Sequence, residues 1–404
     1  MVSDAREPAP RVLVIADDLT GAMDAAGPFA SRGLATWVAA LPEDCDPARF
    51  ARAEVVSVNT ESRHLAPAQA AARVQEAFRR VGGDAFPVVV KKVDSTLRGN
   101  VLAEIEALMS AARRDQLVAC PAFPSQGRVL QDGRLRVRGI ALEDTEFARD
   151  ALSPALVQPL AQALEGAGIH PVRAMTPAQL PAEGFAAPGA WVVDAATDDD
   201  LRAIGQVGLA RGARVLLAGS AGLTAAVASL CAPEGGVAEA PEIQGRIVYV
   251  VGSRSRSSRS QVDALLAGGA TLVEAVNGRL RKEPVLVPGA DVVLLAVPDR
   301  HGREGDAAQV AGMLARHAIR LAGPGNAQAV VATGGDTATA FLRTSGNAAL
   351  PVGGELMPGI AYTRFMMGTR PVWLVTKAGG FGDDQALLDI GRRLRASPEA
   401  GLSR

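Results

Sequence analysis

The chain has 404 residues, of which 48% are hydrophobic and 21% charged, a composition typical of a soluble globular protein with two or three domains. Its formal net charge is −1, so no excess of positive charge favours nucleic acid or an anionic membrane as a partner. The apolar runs have the length of strands and are too short to span a bilayer. Three widely separated cysteines and a polar N-terminus predict a cytoplasmic protein without a disulfide framework or signal peptide.

An apolar strand at 11–16 opens the chain and ends in the acidic pair Asp17 and Asp18. A helical pattern and a second strand at 35–40 follow, in an order typical of a doubly wound parallel sheet. One acid of the pair, helped by Thr20, is a candidate helix cap. Because two adjacent carboxylates repel each other, the pair also predicts a neighbouring cation or a substrate hydroxyl.

The densest polar cluster of the chain occupies 91–100, between an apolar strand at 88–90 and a helical pattern. Ligands of open α/β sheets bind at this carboxyl edge of the strands, so the cluster predicts a binding site. Arg63, in a polar loop after the strand at 55–58, is either a second ligand residue or a solvated surface residue. The candidate substrate-binding residues of the cluster are Lys92, Asp94, Ser95, Thr96 and Arg98.

The second half repeats the alternation of strands and helices after a Pro- and Gly-rich stretch. We therefore predict a first domain over 1–232, a linker over 233–245 and a second domain over 246–404. Three strands of the second half run into turns rich in Gly, Ser and Thr, which suit phosphate binding through backbone amides. The candidate nucleotide-binding residues in these turns are Ser253, Ser255, Gly334, Gly335, Asp336, Thr337, Gly379 and Gly380.

Several common site motifs are absent from the sequence. It has neither the P-loop pattern nor a G-x-G-x-x-G turn after its first strand, and no nucleophile elbow of the G-x-S-x-G kind. The remaining features indicate a two-domain phosphotransferase of the α/β class. Each domain is expected to be a largely parallel sheet flanked by helices, with the active site in the interdomain cleft.

Seven motifs, spread in order over nearly the whole chain, resemble those of the four-carbon acid sugar kinase family. They lie at Ile15–Ala22, Lys92–Asn100, Pro121–Arg128, Gly252–Ser255, Ala332–Thr337, Pro358–Ile360 and Thr376–Gly382. The resemblance implies an N-terminal sugar-acid domain and a C-terminal nucleotide domain. It also implies ATP-dependent phosphorylation of the terminal 4-hydroxyl of D-threonate, D-erythronate or a 3-oxo-tetronate.

On this basis we expect Arg98, helped by Arg63 or Lys92, to bind the substrate carboxylate, because a guanidinium matches its bidentate geometry. Asp94 and Ser95, with the neighbouring Thr96, are expected to hold substrate hydroxyls. The glycines and hydroxyls of the second half are expected to hold ATP, with Mg²⁺ bridging its phosphates. The protein ligands of this metal are not predicted.

Three carboxylates are candidates for the group that orients or deprotonates the attacking hydroxyl. Asp17 is the first candidate and Asp18 the second, and Asp336 is the alternative because it follows two glycines at a helix start. Other functions remain open at this stage: a 3-oxo-tetronate 4-kinase, a lyase or dehydrogenase acting on sugar acids without ATP, or a non-catalytic sensor. A homodimer is a plausible assembly.

Overall fold

The computed structural model describes residues 11–150, 152–180, 187–232, 241–253, 255–298, 306–323 and 327–395. Most of the predicted linker, 233–240, lies outside these residues, and so does position 254 in the loop after the strand at 247–251. The predicted domain boundaries therefore stay a prediction. In the described parts of the chain, no helix combines the length and the apolar character needed to cross a membrane.

The first half alternates strands and helices, as the sequence predicts, and adds a small hairpin sheet. Its elements are β1 Val12–Ala16, α1 Leu19–Ala30, β2 Thr36–Ala39, β3 Val55–Asn59, α2 Pro67–Arg80, β4 Val88–Lys92, α3 Val101–Ala111, β5 Gln116–Cys120, β6 Arg128–Gln131, β7 Arg134–Val137, β8 Ile140–Ala141, α4 Leu160–Gly166, β9 Val172–Met175, β10 Gly189–Val193, α5 Asp198–Arg211, β11 Val215–Gly219 and α6 Ala221–Cys231.

The second half contains a parallel part and an antiparallel part. Its elements are β12 Ile247–Val251, α7 Arg256–Ala267, β13 Thr271–Val276, β14 Arg279–Leu280, β15 Val292–Val297, α8 Ala307–Leu321, β16 Ala329–Thr333, α9 Gly335–Thr344, β17 Ala349–Met357, β18 Ile360–Met367, β19 Arg370–Lys377 and α10 Ala386–Arg395.

Both halves contain the largely parallel sheet that the sequence predicts, and the two sheets join into one of sixteen strands. The order is β14-β13-β15-β12-β16-β19-β18-β17-β2-β3-β1-β4-β11-β5-β10-β9. The junction is an antiparallel pairing in which Leu350 of β17 lies opposite Val38 of β2. The strand pattern of β17 and β18 escaped sequence analysis, because β17 contains a proline and two glycines in its apolar run.

The hydrophobic core also crosses the junction. All twelve residues of α1 are buried, and its side chains Leu19 and Met23 share a cluster with Val248, Val250 and Phe341 of the second half. A helix that is buried on every side needs packing partners on every side, so α1 packs against elements of both halves. This arrangement holds the two sets of strand ends close to each other.

Candidate active site

A cavity of about 410 Å³ lies between the two halves, at the carboxyl ends of their parallel strands. Its walls come from loops after three adjacent strands of the first half, β3, β1 and β4, and three of the second, β12, β16 and β19. The predicted site residues that line it are Asp18, Arg63, Arg98, Ser253, Ser255, Gly334, Gly335, Asp336, Thr337, Gly379 and Gly380. The fold thus brings together residues from both halves at one surface.

Arg63 is the centre of the first wall. Its guanidinium donates from Nε to Asp17 Oδ2 at 2.7 Å and from Nη2 to Asp17 Oδ1 at 2.9 Å. It also donates from Nη1 to Asp18 Oδ2 at 2.8 Å, and lies 3.5 Å from Asp94 Oδ1. Only 12% of its side chain is exposed, so the alternative of a solvated surface arginine is wrong.

The two acids after β1 have different surroundings. Asp18 caps α1, accepting the Gly21 amide at 2.7 Å and the Thr20 hydroxyl at 2.9 Å, which confirms the predicted cap. Its carboxylate also faces the cavity. Asp17 is buried behind Arg63. Burial opposes its ionisation, but the Arg63 guanidinium outweighs burial and holds the pKa of Asp17 below its usual range.

Arg98 and Asp94 form a bidentate pair, with Nη2 2.9 Å from Oδ1 and Nε 3.0 Å from Oδ2. The Thr96 amide donates to the same carboxylate at 3.1 Å. Although burial opposes ionisation, Arg98 and Arg63 together hold the pKa of Asp94 well below its usual range. The Nη1 atom of Arg98 has a weaker contact, 3.5 Å from Asp150 in the cavity wall. Asp94 therefore orients Arg98 towards the cavity.

The two lysines that end β4 point into the protein interior. Lys91 pairs with Glu104 at 2.8 Å, and Lys92 lies 3.3 Å from Asp24; both lysines are buried. Burial is the main cause that raises the pKa of Asp24 to about 7, against the opposing effect of Lys92. Five of the predicted site residues are buried and do not line the cavity: Asp17, Lys92, Asp94, Ser95 and Thr96. The structure therefore does not bring them to the surface of the cavity.

The second wall is made of helix starts and glycine turns. Ser255 caps α7, and its hydroxyl and that of Ser258 donate to the Gly379 carbonyl at 2.8 and 2.9 Å. The next strand end leads through Gly334, whose φ of 99° favours glycine, into α9. Because β12, β16 and β19 are neighbours and parallel, the three predicted phosphate turns do lie side by side.

His64 and Asp336 connect the two walls, with His64 Nε2 3.7 Å from Asp336 Oδ2. The nearby Asp336 carboxylate raises the pKa of His64, and the nearby His64 imidazole lowers the pKa of Asp336. On its other side, His64 Nδ1 is 2.8 Å from the Ser153 hydroxyl. Sequence analysis missed His64, and its only signal was its position next to Arg63.

One end of the cavity is apolar. It is lined by Ala296, Val297, Pro298, Ala307, Val310, Ala311 and Leu314. These residues lie at the end of β15, directly after it and in α8, and together they form an apolar slot in the cavity. A slot with such walls suits a planar nucleobase. Sequence analysis missed it because apolar residues in a strand and a helix are typical of any core.

The comparisons with known proteins agree with this division into two walls. Residues 12–227 match the family model described as a sugar-binding N-terminal domain, and residues 248–387 match the model of a nucleotide-binding C-terminal domain. A D-threonate kinase from Bordetella bronchiseptica is 34% identical, covering 96% of this chain and 98% of that protein. This chain belongs to the four-carbon acid sugar kinase family.

Other members of the four-carbon acid sugar kinase family are named for different substrates. A D-erythronate kinase from Heliobacterium modesticaldum is 31% identical, covering 93% of this chain and 95% of that protein. A 3-oxo-tetronate kinase from Methylobacterium radiotolerans is 30% identical, covering 91% of this chain and 95% of that protein. Membership of the family therefore leaves three candidate substrates: D-threonate, D-erythronate and a 3-oxo-tetronate.

Solved structures share the architecture of this family member. A Bordetella bronchiseptica protein, crystallised with bound citrate as a domain-swapped dimer, is 33% identical with a TM-score of 0.50, covering 96% of this chain and 99% of that one. A Salmonella typhimurium protein described as a putative tRNA synthase has a TM-score of 0.74 at 23% identity, covering 95% of this chain and 99% of that one. The second likeness concerns the fold alone.

Phosphoryl transfer from ATP generally needs a divalent cation. The question is therefore whether the carboxylates that line the cavity could bind one. No cluster of three His, Cys, Asp or Glu side chains suited to a metal occurs within the described ranges. Mg²⁺ in kinases commonly uses only one or two protein carboxylates, with phosphate oxygens and water completing its shell. Asp18 and Asp336, on opposite walls of the cavity, match this requirement.

Proposed function

We propose that this chain is an ATP-dependent kinase that phosphorylates the terminal 4-hydroxyl of a four-carbon sugar acid, D-threonate or D-erythronate. The observation that carries the proposal is the single cavity in which a charged wall faces a wall of amides and hydroxyls. D-threonate comes first, because relatives with that name share 34% and 31% of their residues with this chain. A 3-oxo-tetronate is the alternative substrate.

The first wall supplies the site for the sugar acid. The substrate carboxylate binds Arg98 at Nη1, where it replaces the long contact with Asp150. Arg63 adds positive charge beside it, and its own position is held by Asp17. Asp94 acts indirectly, because its carboxylate is already engaged by Arg98. A contact of Ser95 with a substrate hydroxyl stays a prediction.

The second wall supplies the site for ATP. The phosphates lie against the starts of α7 and α9 and the turn with Gly379 and Gly380, where backbone amides and Ser255 can donate to them. The base occupies the apolar slot between β15 and α8. This orientation points the terminal phosphate towards Asp18 and Arg98 on the opposite wall.

Mg²⁺ would be held by Asp18 together with phosphate oxygens, and when bound it neutralises the phosphate charge. Asp336 is then the candidate base for the attacking hydroxyl. It lines the cavity with 48% of its side chain exposed, whereas Asp17 lies behind Arg63. The carboxylate of Asp336 is ionised at neutral pH, and because its lowered pKa makes it a weak base, its contribution is chiefly to orient the attacking hydroxyl.

The two walls must exclude water from the bound substrates, since ATP would otherwise be hydrolysed. The contact between His64 and Asp336 supports such a closed arrangement. The three cysteines are free thiols, in keeping with the cytoplasm as the site of action. A homodimer is the proposed assembly, and light scattering after size-exclusion chromatography would measure it.

The deciding experiment measures ADP release from Mg-ATP with D-threonate, D-erythronate, their L-isomers and 3-oxo-tetronates. Strong stimulation by one four-carbon acid establishes the kinase and identifies its substrate. ATP alone is the control for hydrolysis. Binding of ATP without stimulation by any acid would contradict the proposed substrates, and no binding of ATP would favour a sensor or a lyase.

A further inference from the structure

Lys377, the last residue of β19, is completely buried, with 0% of its surface exposed. Its ammonium donates to carbonyls of the turn that it begins: Ala378 at 2.9 Å, Phe381 at 3.0 Å and Gly379 at 3.4 Å. In the described portion of the chain no carboxylate pairs with it. Lys91 and Lys92 are also buried, but each lies beside an acid.

A buried lysine held only by carbonyl dipoles loses charge more easily than a paired one. Burial, helped by the positive charge of Arg128, lowers the pKa of Lys377 to about 7. Arg128 reaches the turn from β6, donating to the Gly380 carbonyl at 3.1 Å. The side chains of Ser255, Ser258 and Gln261, which hydrogen-bond to the turn, are neutral. Arg259 of α7, which lines the same cavity, is charged.

The carbonyls of the turn are engaged by donors of the protein itself. The Gly379 carbonyl accepts from two hydroxyls of α7 as well as from Lys377, and the Phe381 carbonyl accepts from Lys377 and Gln261. Gly379 and Gly380 line the cavity, and their amides have no acceptor among the described residues. Consecutive free amides above a buried cation form an anion-binding turn.

We propose that Lys377 is a positioning residue for the nucleotide. Its ammonium holds the turn in the shape that presents Gly379 and Gly380 to the phosphates, and phosphate binding is coupled to uptake of a proton by Lys377. This inference rests on the proposed nucleotide site. Lys377 does not contact the phosphates directly, because its ammonium is buried beneath the turn and acts through the backbone of the turn.

The coupling has a defined direction. Phosphate next to the turn stabilises the ammonium over the neutral amine, so the lysine binds its proton more tightly in the complex. Below about pH 6 the free protein already carries the proton, so Lys377 adds no pH dependence to the affinity. Above pH 7 binding takes up a proton, and affinity falls by up to about tenfold per pH unit.

Calorimetric titration with ADP and Mg²⁺ at pH 8 and 9, in two buffers of different ionisation enthalpy, measures this proton. The nucleotide phosphate no longer titrates at these pH values.

The wild-type protein should take up close to one proton. Lys377→Met should take up none and bind ADP at least tenfold more weakly at pH 7. Lys377→Arg, which stays charged, should bind ADP with little pH dependence.

Lys282→Met is the matched control, because it removes a lysine charge from an exposed position of the same half. It should retain the proton uptake of the wild type. Subtracting the Lys377→Met data also removes protons exchanged by His64 and Asp336. Should both Lys377 variants fail to fold, as judged by thermal melting, the wild-type proton count at pH 8 decides alone.

ADP binding by the wild type without proton uptake would overturn the coupling and leave the proposed function intact. Equal proton uptake by wild type and Lys377→Met would overturn it as well. Absence of ADP binding to the wild type would instead overturn the proposed function, and the coupling with it.

Discussion

The two walls of the cavity offer a ligand different kinds of contact. The first wall consists of charged side chains that neutralise one another, with Arg63 shared by Asp17, Asp18 and Asp94. The second wall consists of turns whose backbone amides and hydroxyls carry partial charges, supported from below by Lys377. A carboxylate with several hydroxyls needs directional side-chain partners, whereas a polyphosphate is held by many equivalent amides.

This difference predicts which substitutions each wall tolerates. In the first wall, loss of one charge leaves its partners buried and unpaired, so stability and activity should fall together. In the second wall, the shape of the backbone matters most, so an added Cβ should be more harmful than the loss of one hydroxyl. The following predictions test this contrast, beginning with the largest effect.

Arg63→Met should have the largest effect. It leaves three carboxylates without their shared cation, which should cost about 3–5 kcal/mol of unfolding free energy. Loss of kcat/KM should reach roughly 10³-fold. Thermal melting and ADP release measure both quantities. Arg73→Met, which breaks an exposed pair with Glu43, is the control and should cost less than about 1 kcal/mol. Near-normal melting of Arg63→Met would contradict the shared-cation network.

Asp336→Asn should lower kcat by about 10²-fold or more with little change in the KM for the sugar acid, as expected for loss of a base. Asp17→Asn should instead raise that KM, because Asp17 orients Arg63. Asp389→Asn, on the exposed side of α10, is the control. If Asp17→Asn loses kcat and Asp336→Asn does not, the base is Asp17.

Gly335→Ala tests whether activity requires the close approach of Gly335 in the second wall to Asp18 in the first wall. A Cβ at this position would lie 3.0 Å from the Cβ of Asp18, so the walls would have to separate. We expect kcat/KM to fall about tenfold, because small displacements of bound reactants are costly. Gly166→Ala is the control, since a Cβ there meets open space in α4. Unchanged kinetics of Gly335→Ala would show that the walls need not approach so closely.

The smallest effect concerns Glu355, a half-buried acid beside α1 whose carboxylate accepts the Gly359 amide at 2.9 Å. Burial raises its pKa from 4.5 to about 8, so its contribution to stability is complete below about pH 4.5 and is lost as the pH rises towards 8.

Glu355→Gln should therefore reduce the fall in melting temperature between pH 5 and 8 by ~2 °C. Glu283→Gln, at an exposed position, serves as the comparison and should keep the wild-type slope. An unchanged slope in Glu355→Gln would mean that another group causes the pH dependence.

Much of the architecture could be predicted from the sequence, because apolar strands followed by polar turns have a strong local pattern. The strand β4 and the helix α3 appear almost as predicted around the polar cluster. The edge-to-edge joining of two sheets through β17 and β2 was not predictable, since neither strand's pattern identifies its partner.

The sequence by itself determined which residue types stand at the strand ends and hence the family. Parallel strands place their carboxyl ends at one edge, so a motif following a strand falls near the site whatever its exact contacts.

Only the tertiary structure decided which of these residues face the cavity and which support it. Lys92 turns inwards to Asp24, Arg63 joins Asp17 across 46 positions of the chain, and His64 meets Asp336 from the other half. Such contacts join segments distant in sequence, and the choice depends on packing and desolvation that no local pattern encodes.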